Sequence, residues 1–247
     1  MRALIVADLH GNIDAVAALE TWIGGQRPFD EIWVLGDLVD YGGAPADVVD
    51  WVRRRASLAV RGNHDHAMAT NADCRSSPAL LPLSVATRCY FRTQLSHDDL
   101  DYLERLPLLR DAVVPGGGRA VFVHACPTDP MHAYVPADSP DASWRDSLRA
   151  AGAPRFLFVG HTHEQFVRRV DETTIVNPGS LGLPLDGYPV PAFAVFDDGR
   201  VTLYRIPYDI NRAAARIDSL PIDATVRRRL VHLIREGRPL KNATSVV

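Results

Sequence analysis

Cysteine is scarce in this 247-residue chain, with three in all: Cys74, Cys89 and Cys126. An odd number without metal-type spacing excludes a disulfide framework and a thiolate metal site, and is expected of a reducing compartment. Long apolar runs are missing as well. The first, Ala3–Ala7, meets Asp8 after five residues, too few for the core of a signal peptide. No window approaches the roughly 20 apolar residues of a membrane span, so no membrane partner is expected. Surplus charge is absent too, because 27 Lys and Arg against 30 Asp and Glu leave −3. Proteins built around a nucleic-acid polymer carry a basic excess, and no such partner is expected here. What remains, 47% hydrophobic and 23% charged residues, is the ordinary composition of a chain with its own core. A soluble cytoplasmic protein is the expectation.

Apolar runs and turn signals alternate along the first third of the chain. "RALIVA" reads as a strand and "NIDAVAALETWIGG" as a helix capped by Asn12 and stopped at Gly24–Gly25. "EIWVLG" is a second strand, "PADVVDWVRRR" a helix opened by Pro45, and "SLAV" a short third strand. Such alternation implies right-handed crossovers, a largely parallel sheet and function at the strands' carboxyl ends. Residues 66–107 read as helical and connective, with Ser96 and Asp99 forming a capping-box start. From "AVFVHA" onward strands dominate, with hairpin turns at Asp171–Glu172 and Asp197–Gly199. The tail after Pro207 reads as two helices split at Leu220–Pro221. The expected organisation is one domain over residues 1–206 with a helical C-terminal appendage, 207–247, which could serve a homo-oligomer contact or cover a pocket.

Polar residues collect where the apolar runs end: Asp8 and His10, Asp37, "GNHD" at Gly62–Asp65, His124, and His161 with His163. A lone Asp after a strand is ordinarily a turn or cap residue, and Gly-Asn is a common turn pair. Several strand-end groups converging on one sheet edge are another matter. Asp, His and Asn are oxygen and nitrogen ligands suited to Mn, Fe or Zn. There are too many for one ion and about enough for two sharing a carboxylate, an arrangement with ions roughly 3.5–4 Å apart that recurs in phosphate-ester cleavage.

The ordered series Asp8-x-His10, Gly36-Asp37, Gly62-Asn63-His64-Asp65, His124 and Gly160-His161-x-His163 resembles the calcineurin-like metallophosphoesterase family. "DLHGN" and the "VNPGS" at Val176–Ser180 are similar to its small bacterial and archaeal phosphodiesterase branch. The resemblance implies an α/β fold, a four-layer α/β/β/α sandwich, here with C-terminal helices. It implies Asp8, His10 and His163 on a first metal, Asp37 bridging, and Asn63, His124 and His161 on a second. His64 would protonate the leaving oxygen, oriented by Asp65 or another carboxylate, and Asn12 and Asn63 would contact the phosphate. Two divalent ions are the expected cofactor, Mn²⁺ favoured, with Fe, Zn, Co or Ni tolerated. Coordination lowers the pKa of water from about 16 to about 7, which implies attack by a metal-bound hydroxide.

Departures from the family pattern narrow the substrate. Protein phosphatases of the family carry an arginine in "GD-x-x-D-x-G" where this chain has Tyr41, and an aromatic hydroxyl does not clamp a dianion as a guanidinium does. Relatives follow "NPGS" with a Pro-Arg pair, whereas here Pro184 precedes Leu185. The expectation is therefore a phosphodiesterase for a small phosphorylated substrate such as a cyclic nucleotide. A phosphomonoesterase or protein phosphatase, a nucleotide pyrophosphatase, and a non-catalytic binding scaffold are the alternatives. The intact His64 opposes the last. Cys126, two residues after His124, is a candidate reactive thiol. His66, His97, His132 and His232, and the arginine runs ending at Arg55 and starting at Arg227, are expected to be structural or solvated.

Overall fold

Strand β1 (Arg2–Val6) is buried along its whole length, because its two faces meet two different cores. Ala3 and Ile5 join a cluster with Trp33, Phe122, Phe158 and Phe196, while Leu4 and Val6 join one with Val16, Leu19 and Val48. A strand apolar on both faces belongs in the middle of a layered protein. The computed structural model, which describes residues 1–240, places it there. Residues 241–247 of the expected C-terminal appendage lie outside the described residues.

Helix α1 (Ile13–Gly24) follows β1, capped by Asn12 as expected. Then come β2 (Glu31–Val34), α2 (Pro45–Arg55) and β3 (Leu58–Ala59), with β1–β2 and β2–β3 paired in parallel. Three helices fill the connective segment: α3 (Asn63–Thr70), α4 (Leu81–Phe91) and α5 (His97–Arg105). "GNHD" is thus the first turn of a helix rather than a simple turn, and the Ser96–Asp99 box opens α5. A hairpin, β4 (Leu109–Val114) with β5 (Gly118–Val123), turns through Pro115–Gly117. Helix α6 (Asp141–Ala150) and strands β6 (Phe156–Phe158), β7 (Gln165–Val170), β8 (Thr173–Pro178), β9 (Ala192–Asp197) and β10 (Arg200–Arg205) follow. The tail forms α7 (Ile210–Asp218) and α8 (Ala224–Glu236).

Two five-stranded sheets result, in the orders β10-β9-β1-β2-β3 and β4-β5-β6-β8-β7. Their inner faces share the Trp33–Phe122–Phe158–Phe196 cluster. Helices α1, α2 and α5 cover the outer face of the first sheet and α6, through Trp144 and Leu148, that of the second. The four-layer α/β/β/α architecture expected from the sequence is what these residues build. Helices α7 and α8 pack Ala213, Ile217, Leu230, Leu233 and Ile234 against Tyr41, Leu83 and Leu183, beside the strand ends where the polar residues gather. No described helix is long and apolar enough to cross a membrane.

Candidate metal centre

The loops leaving β1, β2, β5 and β6 end at the same place. Donor atoms of Asp8, His10 and His163 lie within 4.8 Å of one another, and so do those of Asp37, His124 and His161. Asp37 sits between the two trios: its Oδ2 is 3.2 Å from His124 Nε2 and 3.9 Å from His10 Nε2. Asn63 turns its Oδ1 toward His124 Nε2, at 3.1 Å, because its amide nitrogen donates to the Cys74 carbonyl at 2.7 Å.

These positions are held at a conformational cost. Asp8, His10, Asp37, Asp40, Tyr41, His161 and His163 all have φ between 45° and 67°. For residues with a Cβ this left-handed region is worth roughly 1–3 kcal/mol of strain each and persists only where the surroundings impose it. Backbone bonds between the loops do so: Asp8 N–H to Gly36, His10 N–H to Asp37 and Gly160 N–H to His124. The "NPGS" stretch is a strut for the same loops. Ser180 donates to the Asp8 carbonyl at 2.7 Å, Asn177 to Gly160 at 2.8 Å, and Leu183 offers its carbonyl to His163 Nδ1. Gly62 has no alternative, since a Cβ there would stand 2.0 Å from Asp37 Oδ1.

The donor chemistry fits divalent cations. His10 Nδ1 faces the Val39 carbonyl and His163 Nδ1 that of Leu183, so both Nδ1 atoms carry the protons and both Nε2 atoms present lone pairs. Burial pushes both rings below their usual pKa, His163 to about 4, and keeps them neutral. Yet the two Nε2 atoms face each other at 3.2 Å, which is repulsive unless a cation lies between. Asp8 Oδ2 is buried there without a hydrogen-bond partner among the described residues, and burial raises the Asp8 pKa to about 8. His124 opposes its own burial by pairing with Asp37 and is lifted to about 9, so without metal a proton sits where the second trio would take an ion. His161 is neutral, lowered to about 3 by burial and by His124.

Beside the trios, His64 Nδ1 is 2.7 Å from Asp40 Oδ2 and its Nε2 is 3.1 Å from Ser76 Oγ, which also contacts the Tyr41 hydroxyl at 3.1 Å. Burial disfavours the His64 cation, but Tyr41, Asp37 and Asp40 more than offset it and hold the pKa well above the ordinary value. Arg88 backs Asp40 at 3.6 Å.

Two expected site residues are placed elsewhere. Asp65 does not touch the His64 ring. Its carboxylate accepts the backbone N–H groups of Asp37, Leu38 and Gly62 at 2.7–2.9 Å, and burial with Asp37 nearby raises its pKa to about 6. Being the third residue of α3 points it back at the loop, so Asp40 orients the imidazole instead. Asn12 is not among the residues lining the cavity over the centre: it is buried, capping α1 through Ala15 and donating to the Gly182 carbonyl. Cys126 is buried and its thiol is pushed up to about 11 by burial, so it is not the reactive group its position suggested. Asp40 and Ser76 join the site beyond the residues expected from the sequence. The signal for Asp40 was present in "GDLVDYG", three residues after Asp37 and before a turn glycine. Ser76 follows no motif. A cavity of about 380 Å³ opens over the centre, lined by Tyr41, Asn63 and His64 below and by Arg75, Tyr134 and Leu185 toward the mouth.

Comparison with known proteins bears on the family and the fold. A family model described as a calcineurin-like phosphoesterase superfamily domain matches residues 1–198. The chain is 28% identical over 231 residues to an uncharacterized protein of Methanocaldococcus jannaschii, covering 86% of this chain and 90% of that one. It shares 37% identity over 75 residues with a symmetrical bis(5′-nucleosyl)-tetraphosphatase of Yersinia pestis, which is 29% of this chain and 26% of the enzyme. The solved structure of a metallophosphoesterase from Sphaerobacter thermophilus superposes with a TM-score of 0.75 at 29% identity, covering 94% of this chain and 99% of that one.

Proposed function

The chain belongs to the calcineurin-like phosphoesterase superfamily, and we propose that it is a dinuclear metal-dependent hydrolase of small phosphodiesters. One observation carries the dinuclear reading: the Asp37 carboxylate stands between two donor trios, Asp8–His10–His163 and Asp37–His124–His161. Asn63 Oδ1 joins the second trio. Divalent ions held there, Mn²⁺ by preference, would supply Lewis-acid charge to the phosphoryl oxygens and acidify a water.

The chain's own groups do the rest. His64, kept cationic by Asp40, donates a proton from Nε2 to the departing oxygen, a contribution worth roughly 10²–10⁴ in rate for a positioned acid. Asp65 keeps the backbone of Gly62, Asp37 and Leu38 in register and acts only through them. Tyr41 supports the preference for a diester: it occupies the floor as a neutral hydroxyl, burial raising its pKa to about 12, so no guanidinium there rewards the second charge of a monoester dianion. A cyclic nucleotide meets this description, as does a P–O–P linkage, in which each phosphorus also bears a bridging oxygen.

The test is direct. Metal-free protein is reloaded with Mn²⁺ and given bis(p-nitrophenyl) phosphate and p-nitrophenyl phosphate in parallel, with His64→Ala as control. Preferential cleavage of the diester is expected, with His64→Ala keeping much of it because a nitrophenolate departs without a proton, and losing cleavage of a nucleotide diester whose leaving group is an alkoxide. A monoester preference overturns the diester assignment, and unchanged activity of His64→Ala on the alkoxide diester removes the proposed acid.

A further inference from the structure

The cavity is far larger than a phosphoryl group requires, and at about 380 Å³ it lies in the range of small-ligand sites, roughly 300–1,000 Å³. One residue on its wall is unlike the others. Arg75 is exposed and forms no ion pair, and its guanidinium makes no hydrogen bond among the described residues. Arginines elsewhere in the chain commonly have a carboxylate or carbonyl partner.

Its backbone is nevertheless fixed. Arg75 has φ 55°, a left-handed conformation that a long side chain adopts only under constraint. The constraint comes from both neighbours. Cys74 is fully buried, its carbonyl taken by Asn63 and its sulfur 3.3 Å from Ser84 Oγ. Ser76 is tied to His64 and Tyr41, and the Arg75 N–H is held by Asp73 at 2.8 Å. A cation without a partner is therefore carried by a segment anchored on each side to the floor of the centre. It faces His132, whose pKa is lowered by burial and then by the Arg75 charge. Tyr134, 60% exposed, and Leu185 complete that part of the lining.

Building on the phosphodiesterase reading of this centre, we infer that Arg75 is a specificity residue that binds a second phosphate of the substrate, beyond the one cleaved. A guanidinium gives a phosphate two parallel charge-assisted bonds. A cyclic mononucleotide has a single phosphate and leaves Arg75 unused. The substrate class selected is instead a nucleotide-sized molecule with adjacent phosphates, such as a nucleoside phosphoanhydride.

Calorimetry on the Mn²⁺-loaded protein, at fixed free Mn²⁺, with AMP and with the non-hydrolysable α,β-methylene-ADP decides this without relying on turnover. The wild type is expected to bind the two-phosphate ligand about tenfold more tightly, in line with one charge-assisted contact. Arg75→Asn, which tolerates the left-handed backbone and removes the cation, is expected to bring that ratio to about one, with Arg75→Lys in between. An unchanged ratio in Arg75→Asn overturns the inference, as does no preference in the wild type. So does an equal loss for both ligands, which would put the guanidinium on the phosphate they share. Discrimination in a protein that cleaves neither nitrophenyl ester would uphold the Arg75 subsite and refute the phosphodiesterase reading alone.

Discussion

Replacing Asp40 by asparagine separates the acid from the rest of the centre. Asp40 is completely buried and its Oδ2 is 2.7 Å from His64 Nδ1. A hydrogen bond to a charged partner is worth about 1.5–3 kcal/mol, and 1.4 kcal/mol is tenfold, so the His64 cation should become about 10- to 150-fold less favoured. The sign is fixed: the pKa of His64 falls, less imidazolium survives at neutral pH, and the loss grows as pH rises. How much of this reaches the rate depends on the leaving group. A nitrophenolate departs without help, whereas a ribose alkoxide needs the proton. Asp40→Asn should therefore cost up to about 150-fold in kcat on a nucleotide diester with an alkoxide leaving group, the full loss appearing only at pH above the His64 pKa, and at most about threefold on bis(p-nitrophenyl) phosphate. Arg88 Nη1, 3.6 Å from Asp40, loses its counter-charge, so kinetics belong well below the melting temperature of each variant. Equal losses on both substrates would refute the idea that Asp40 works through a proton on His64.

Three further outcomes follow from the geometry. Asp8 and His124, with pKa values raised to about 8 and about 9, are protonated at pH 7 in the metal-free protein and must be bare as ligands. Metal binding should release about two protons at pH 7 and tighten as pH rises toward 9, as calorimetry in buffers of different ionisation enthalpy would report; no release refutes the pairing. Between pH 6.5, above which the lowered histidines no longer contribute, and about 8, native Asp8 and His124 hold more proton than the unfolded chain, so metal-free stability should fall as pH rises through that window, and a thermal melt series that rises there would contradict it. Asp65→Asn replaces one of the two oxygens that accept three backbone N–H groups by an NH₂ that opposes at least one of them, and should lower Tm by about 10 °C, several kcal/mol spread over a domain of this size. Activity lost without a change in Tm would restore Asp65 to the chemistry.

That the seven residues expected as ligands would gather at one end of the sheets was legible because metal chemistry restricts residue type and such residues stand where the apolar periodicity stops. Strand β1 and helix α1 were legible for a related reason: five apolar residues ending at Asp8 and an Asn12 cap leave few other foldings. The misreadings lie where position within an element decides the direction of a side chain. Asp65 follows His64 in the chain, but one step along a helix rotates a side chain by about 100°, toward the loop and away from the imidazole. Asp40 lies 24 residues from His64 and meets it only because two loops close on each other. Strand β4, with its short alternation and two exposed charges, and helix α6, inside the stretch where strands are expected to dominate, became elements through packing against β5 and β7 rather than through local propensity.

The central claim is a pair of ions acting together on a phosphodiester. Titrating metal-free protein with Mn²⁺ while following bis(p-nitrophenyl) phosphate cleavage tests it most directly. Activity should climb until two equivalents are bound and then level off. Full activity at one equivalent, or two equivalents bound with neither this ester nor a natural diester cleaved, would contradict the account.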